Sequence, residues 1–128
     1  MTQEDKELLL KDLYARLPYR VKFKSEYDEN LQEIHYIIDE EIYTRTYPHS
    51  PYWVETIKPY LRSMSSMTEE ENKEYAEIVV KSQNSSYNDN ESATTMVNDW
   101  YLSKGFDVRG LIPKGLALEA PEGMYNLK

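Results

Sequence analysis

Leu9, Leu10, Leu13, Tyr14 and Leu17 fall on one side of a 3.6-residue period, whereas Tyr19, Val21 and Phe23 alternate with basic residues at period two. The first pattern predicts an N-terminal helix, capped by Thr2 with Asp5 at capping-box distance and stopped by Pro18. The second predicts a half-buried strand over Tyr19–Lys24. After the turn-rich Tyr27-Asp28-Glu29-Asn30, apolar and β-branched residues resume over 31–38 and again over 42–47, with Asp39-Glu40-Glu41 as the turn between them. Leu31, Ile34, Ile38 and Ile42 also satisfy helical spacing, but the Ile-, Tyr- and Thr-rich composition favours strands. The expectation is a three-stranded meander, with 53–57 or 59–62 as a fourth strand.

A second run of helical patterning starts at Thr68-Glu69-Glu70-Glu71, where Thr68 and Glu71 stand at the spacing of a reciprocal capping box. Tyr75, Ile78 and Val79 continue on one face. Pro59 keeps the preceding residue extended, so 58–80 reads as a strand handing over to a helix. A third helix is predicted from Asn90 or Ser92, with Ala93, Met96, Val97, Trp100 and Tyr101 as its apolar stripe. Trp100 is expected in the main core beside Met96 and Val97. Gly105 follows as the terminating residue, with Phe106 placed for the accompanying apolar contact. Arg109, beside Asp107, is a candidate anchor for docking the tail.

KPYLRSMSSMTEEENKEY and DVRGLIPKGLALEAPEGMY, together with the opening MTQEDKELLLKDLYARLPY, resemble a group of small uncharacterised proteins of intestinal Bacteroides-type bacteria and their mobile elements. That group usually has Pro where Ser63 stands. The resemblance implies an origin; the group has no established activity, so no site residue is carried over.

The chain has 128 residues, which suits one domain. The fold class expected is α+β: an N-terminal helix, an antiparallel meander of three to four strands, and two further helices on one face. Residues 82–91 read as a flexible internal loop and 120–128 as a frayed tail. Twelve Tyr against two Phe suggest many half-buried rings with polar tips. No Cys is present, which removes disulfides, thiolate nucleophiles and zinc–thiolate sites. The polar start and the lack of a long apolar run predict a cytoplasmic protein with no membrane association.

Net charge is −8 and uneven: +2 over 1–24, −6 over 25–47, +1 over 48–67, −5 over 68–92 and zero beyond. Direct nucleic-acid binding requires clustered Lys and Arg, so it is disfavoured. A basic protein partner would be steered toward the two acidic blocks if the fold joins them in one surface. Candidate interaction residues are Asp39, Glu40 and Glu41 of the first block, and Tyr47, His49, Tyr52 and Trp53 of the loop Tyr47-Pro48-His49-Ser50-Pro51-Tyr52-Trp53. Its two prolines would reduce the entropy lost on binding.

No catalytic, cofactor or metal residues are assigned. The four glycines form no phosphate loop, His35 and His49 form no metal pair, and no nucleophile elbow appears. Neighbouring carboxylates in one run diverge on either a strand or a helix, so none converges on an ion by itself. The reading is a small acidic non-catalytic protein-binding module, an inhibitor or antitoxin-like partner of a basic protein. Two alternatives stay open: an enzyme whose polar or carboxylate site assembles only in the fold, and a subunit of a phage-derived or structural assembly.

Overall fold

The computed structural model describes residues 1–83 and 90–125, and the side chains of these except within 82–94. Helix α1 spans Gln3–Ala15; the Thr2 hydroxyl accepts the Asp5 N–H at 3.0 Å, and Glu4 and Asp5 meet the positive end of the helix dipole. Leu9 and Leu13 are fully buried, as the stripe predicts, while Tyr14 is exposed. Two polar residues of the same helix region, Asp12 and Arg16, are also fully buried. Pro18 lies in a 3₁₀ turn, Leu17–Tyr19, so Tyr19 precedes the strand rather than opening it.

Strands β1 (Lys22–Ser25) and β2 (Asp28–Glu33) form a hairpin; β3 (Tyr36–Ile38), β4 (Glu41–Tyr43) and β5 (Tyr52–Trp53) follow. Beyond them come β6 (Ile57–Leu61), α2 (Glu69–Gln83), α3 (Asn90–Ser103) and β7 (Leu118–Glu119). The class is α+β, with an N-terminal helix, antiparallel strands and two further helices. The strands divide between two sheets, ordered β2-β1-β6-β7 and β3-β4-β5. All pairings are antiparallel except β6 with β7.

The expected strand over 31–38 is therefore two strands in different sheets, and the reason is periodicity. Gln32, Ile34 and Ile37 are all buried. Positions 34 and 37 differ by an odd number, so one alternating strand cannot bury both. The chain switches sheets between them: Ile34 N–H reaches the Val21 carbonyl and His35 N–H the Tyr43 carbonyl. Ile37 and Ile42, paired across β3 and β4, face the core. Of the two stretches offered as a fourth strand, Ile57–Leu61 forms it, overlapping both. The main core joins Leu9 and Leu13 of α1 to Val21, Phe23, Ile34, Ile37, Ile42, Val54, Ile57, Leu61 and the tail residues Leu111, Leu116 and Ala117.

The junction from β6 into α2 forms as its capping box predicts. Thr68 Oγ1 accepts the Glu71 N–H at 3.1 Å, and Glu71 Oε1 accepts the Thr68 N–H at 3.0 Å. Arg62, just past β6, adds what local spacing does not show. Its guanidinium makes two bonds to Glu71, at 2.7 and 2.6 Å, also donates to the Lys104 and Ser66 carbonyls, and lies 4.2 Å over the Phe106 ring.

Helices α2 and α3 pack against each other through Tyr75, Trp100 and Tyr101. Trp100 is 8% exposed, so it is buried as expected. It is not in the main core. It packs with Tyr75, Tyr101 and Phe106 in a separate aromatic cluster, and Met96 is exposed. Helix α3 ends as Gly105 predicts: Gly105 N–H bonds the Leu102 carbonyl, Phe106 N–H the Tyr101 carbonyl, and the Tyr101 and Phe106 rings meet edge to face. Gly105 has φ +83°, and a Cβ there would come within 2.9 Å of the Tyr125 ring.

Of the tail expected to fray over 120–128, residues 126–128 lie outside the described residues, and Tyr125 is held in place. The Tyr125 hydroxyl donates to the Tyr60 carbonyl at 2.7 Å and accepts the Lys22 N–H at 2.9 Å, tying this residue to β1 and β6. Arg109 does anchor the tail, with Nη1 2.8 Å from the buried Asp12 carboxylate. The expected loop over 82–91 falls largely outside the described residues, with α2 reaching Gln83 and α3 beginning at Asn90.

Candidate functional site

Where the β1–β2 turn meets the loop into β5, an open cleft of about 450 Å³ is lined by Tyr27, Asp28, Tyr47, Ser50, Pro51, Tyr52 and Trp53. The cleft forms because the two sheets are joined by side chains. The Tyr52 hydroxyl, from β5, donates to Asp28 Oδ2, on β2, at 3.0 Å. The Tyr52 ring packs edge to face on the core residue Phe23 at 5.2 Å. Tyr52 thus forms the floor of the cleft and ties it to the core.

The loop above is held in shape by short-range bonds. Thr44, fully buried, accepts the Tyr47 N–H on its hydroxyl at 3.1 Å. Ser50 N–H bonds the Tyr47 carbonyl at 3.3 Å, which places Pro48 at the second position of a four-residue turn, where its fixed φ is favourable. On the far side, the Thr56 hydroxyl donates to the Trp53 carbonyl at 2.8 Å. The Tyr47 and Tyr52 rings meet at 6.5 Å.

Three rings remain open to solvent: Tyr27 is 77% exposed, Trp53 52% and Tyr47 43%. Tyr27 occupies the two-residue turn between Ser25 and Asp28, where Ser25 Oγ accepts its N–H. Trp53 pairs with Glu41 across β4 and β5, and Ile38 pairs with Glu41 from the other side. Alternation therefore sets Trp53, Glu41 and Ile38 on one face, together with the stacked Tyr36 and Tyr43, whose rings are 4.6 Å apart. Tyr52, next to Trp53 on β5, faces the other way with Ile42, so Trp53 stands where the cleft borders the opposite, aromatic face of the sheet.

Asp28 supplies the charge. Its carboxylate accepts the Asn30 N–H, the Gln32 side-chain amide and the Tyr52 hydroxyl, at 2.9, 3.0 and 3.0 Å. These bonds, the Asn30 N–H first among them, hold its pKa below the ordinary carboxylate value. Tyr52 is pushed up to about 12, by burial first and then by its bond to Asp28. Around neutral pH the floor of the cleft is one fixed negative charge beside a neutral phenol.

Of the candidate interaction residues, the fold brings Tyr47, Tyr52 and Trp53 together. His49 is exposed on the same loop but does not line the cleft. The acidic triplet is spread over separate tasks. Asp39 takes a left-handed conformation, φ 54°, in the β3–β4 turn, and its carbonyl accepts the Tyr14 hydroxyl. Glu40 pairs with Lys6 at 3.5 Å, and Glu41 accepts the Tyr43 hydroxyl at 2.8 Å. Pro51 belongs to the proline-bearing loop the sequence offers, whereas Tyr27 and Asp28 are not among the candidate interaction residues. Tyr27-Asp28 reads as a turn, and its partner Tyr52 lies 24 residues away.

Among the described residues no group of His, Asp and Glu is placed to hold a metal ion, and no helix is long and apolar enough to cross a membrane. No family model, no curated protein and no solved structure matches the chain. The cleft, with its three open rings and fixed carboxylate, is the site on which a functional reading rests.

Proposed function

We propose that this protein is a small acidic binding module, without catalysis of its own, that engages a basic protein through the cleft bounded by Tyr27, Tyr47 and Trp53. The observation that carries the reading is the exposure of these three rings around Asp28, with Tyr47 and Trp53 on a loop shaped in advance by Pro48, Pro51 and Thr44 and Tyr27 in the β1–β2 turn. Large aromatic side chains are the residues that most often dominate interface energies, and a rigid loop loses little entropy on docking. The surrounding 25–47 block, at −6, steers a positively charged partner toward this side of the molecule. An inhibitor or antitoxin-like role toward a basic protein is the subclass that fits a module of this size and charge.

Affinity capture from the source cells, with the bound proteins identified by mass spectrometry, tests this. The wild-type chain is expected to retain one predominant basic protein, and the Tyr27→Ala/Trp53→Ala variant to lose it while unfolding at an unchanged denaturant midpoint. Both substituted rings are exposed, so the fold has little stake in them. Capture that survives the double substitution, or capture of acidic proteins alone, would contradict the reading.

A further inference from the structure

We propose that the cleft is a receptor for a single alkylammonium group, the side chain of a lysine presented by the partner, held between the open rings and the Asp28 carboxylate. This deepens the binding-module reading and rests on it. Tyr27, Tyr47 and Trp53 line one space; among the described residues no ring contact joins the three to each other, and the Tyr47 ring meets the floor ring, Tyr52, at 6.5 Å. Ring faces left open in this way carry the negative side of the aromatic quadrupole, which attracts a cation placed over them. A space of about 450 Å³ is in the range of ligand clefts and accommodates a four-carbon stem with its flanking backbone.

The carboxylate decides the sign of the ligand. Every donor on Asp28 is neutral: the Asn30 N–H, the Gln32 amide and the Tyr52 hydroxyl. Among the described residues no Lys, Arg or His forms an ion pair with it, whereas Asp12, Glu40, Glu55, Glu71 and Glu74 each have one. Its charge is fixed in position and not compensated by an ion pair among the described residues.

The bonds also select ammonium over guanidinium. A carboxylate offers about four lone-pair sites, and a guanidinium fork takes one on each oxygen. Oδ2 already accepts two donors and Oδ1 one, so no such pair of acceptors remains. An ammonium needs no fork; it is a compact charge held by the field and the ring faces.

The test is an NMR titration of the full chain with N-acetyl-lysine methylamide, beside its norleucine and arginine counterparts. The Trp53 indole N–H and the Tyr27 amide are expected to shift saturably with the lysine probe. The norleucine probe should bind at least about fivefold more weakly, the margin an added cation–aromatic contact supplies. Asp28→Asn should erase most of that margin, and Trp53→Leu, which alters an exposed ring and leaves the core intact, should abolish the shifts. Equal binding of norleucine, tighter binding of the arginine probe, or no shift with any probe would each overturn the ammonium assignment. The probes contain no partner, so such a result would leave partner capture standing and the two readings separable.

Discussion

Asp12→Ala is expected to lower the free energy of unfolding by about 3–5 kcal/mol, the usual loss when one member of a buried ion pair is removed. Asp12 and Arg16 are both fully buried, with Arg16 Nε 2.7 Å from Oδ2 and Nη2 3.2 Å from Oδ1. Arg109 Nη1 reaches the same carboxylate at 2.8 Å. Removing Asp12 strands a guanidinium whose Nη1 already lacks a partner among the described residues. It also removes the Arg109 tie between the tail and α1. The Arg16 bond to the Phe106 carbonyl, at 2.6 Å, would be the remaining long-range tie at this point. Urea unfolding gives the measurement: the midpoint should fall with little change in slope. An Asp12→Leu/Arg16→Met variant should recover part of the loss, because paired apolar replacements avoid the stranded charge. A loss below about 1 kcal/mol for Asp12→Ala would place this network at the level of a surface pair.

Arg62→Ala is expected to destabilise by about 3 kcal/mol, the lower end for breaking a buried pair, since its side chain is 16% and that of Glu71 13% exposed. One side chain here closes β6, caps α2 through Glu71 and covers the Phe106 ring, so its loss loosens the α2–α3 pair from the sheet. The pH dependence follows from the same contact. Arg62 bonds first, with the Thr68 N–H assisting, lower the Glu71 pKa to about 2 from an ordinary 4.5, against the opposing effect of burial. The unfolded chain therefore takes up this proton more readily than the folded one. The contribution, about 3 kcal/mol, is fully present above pH 4.5 and is lost as pH falls through about 2. Arg62→Ala should flatten that acid limb, and Thr68→Ala should cost only about 0.5–2 kcal/mol, the range for a helix cap. An acid limb of equal steepness in wild type and Arg62→Ala would contradict the assignment.

These two networks also mark where the sequence stops being legible. Helix ends are written within four residues, so Thr2–Asp5, Thr68–Glu71 and Gly105–Phe106 could all be read directly. Arg62 is different: besides Ser66, four residues on, its partners Glu71 and Lys104 lie 9 and 42 residues away, and no local spacing pattern marks it. Asp12 and Arg16 resemble an ordinary surface pair at helical spacing until Arg109 and Phe106 close over them. The split of the expected meander is present in the odd spacing of Ile34 and Ile37, but the Ile-, Tyr- and Thr-rich composition that favours strands carries no information on where one strand ends and the next begins. Trp100 joins the second aromatic cluster and not the expected main core, because a helix stripe shows which face is buried and not against what. At the site, the prolines and rings of 47–53 were visible, whereas Tyr27 and Asp28 join them only through the Tyr52 hydroxyl.

The central claim is that the protein engages its partner through the Tyr27–Tyr47–Trp53 cleft, and NMR mapping of the complex with the captured protein tests it most directly. The largest shifts and line broadening are expected on Tyr27, Asp28, Tyr47 and the Trp53 indole, with the buried Trp100 indole unmoved. Perturbation centred on α2 and α3, with the Trp53 indole signal unchanged on saturation, would contradict it.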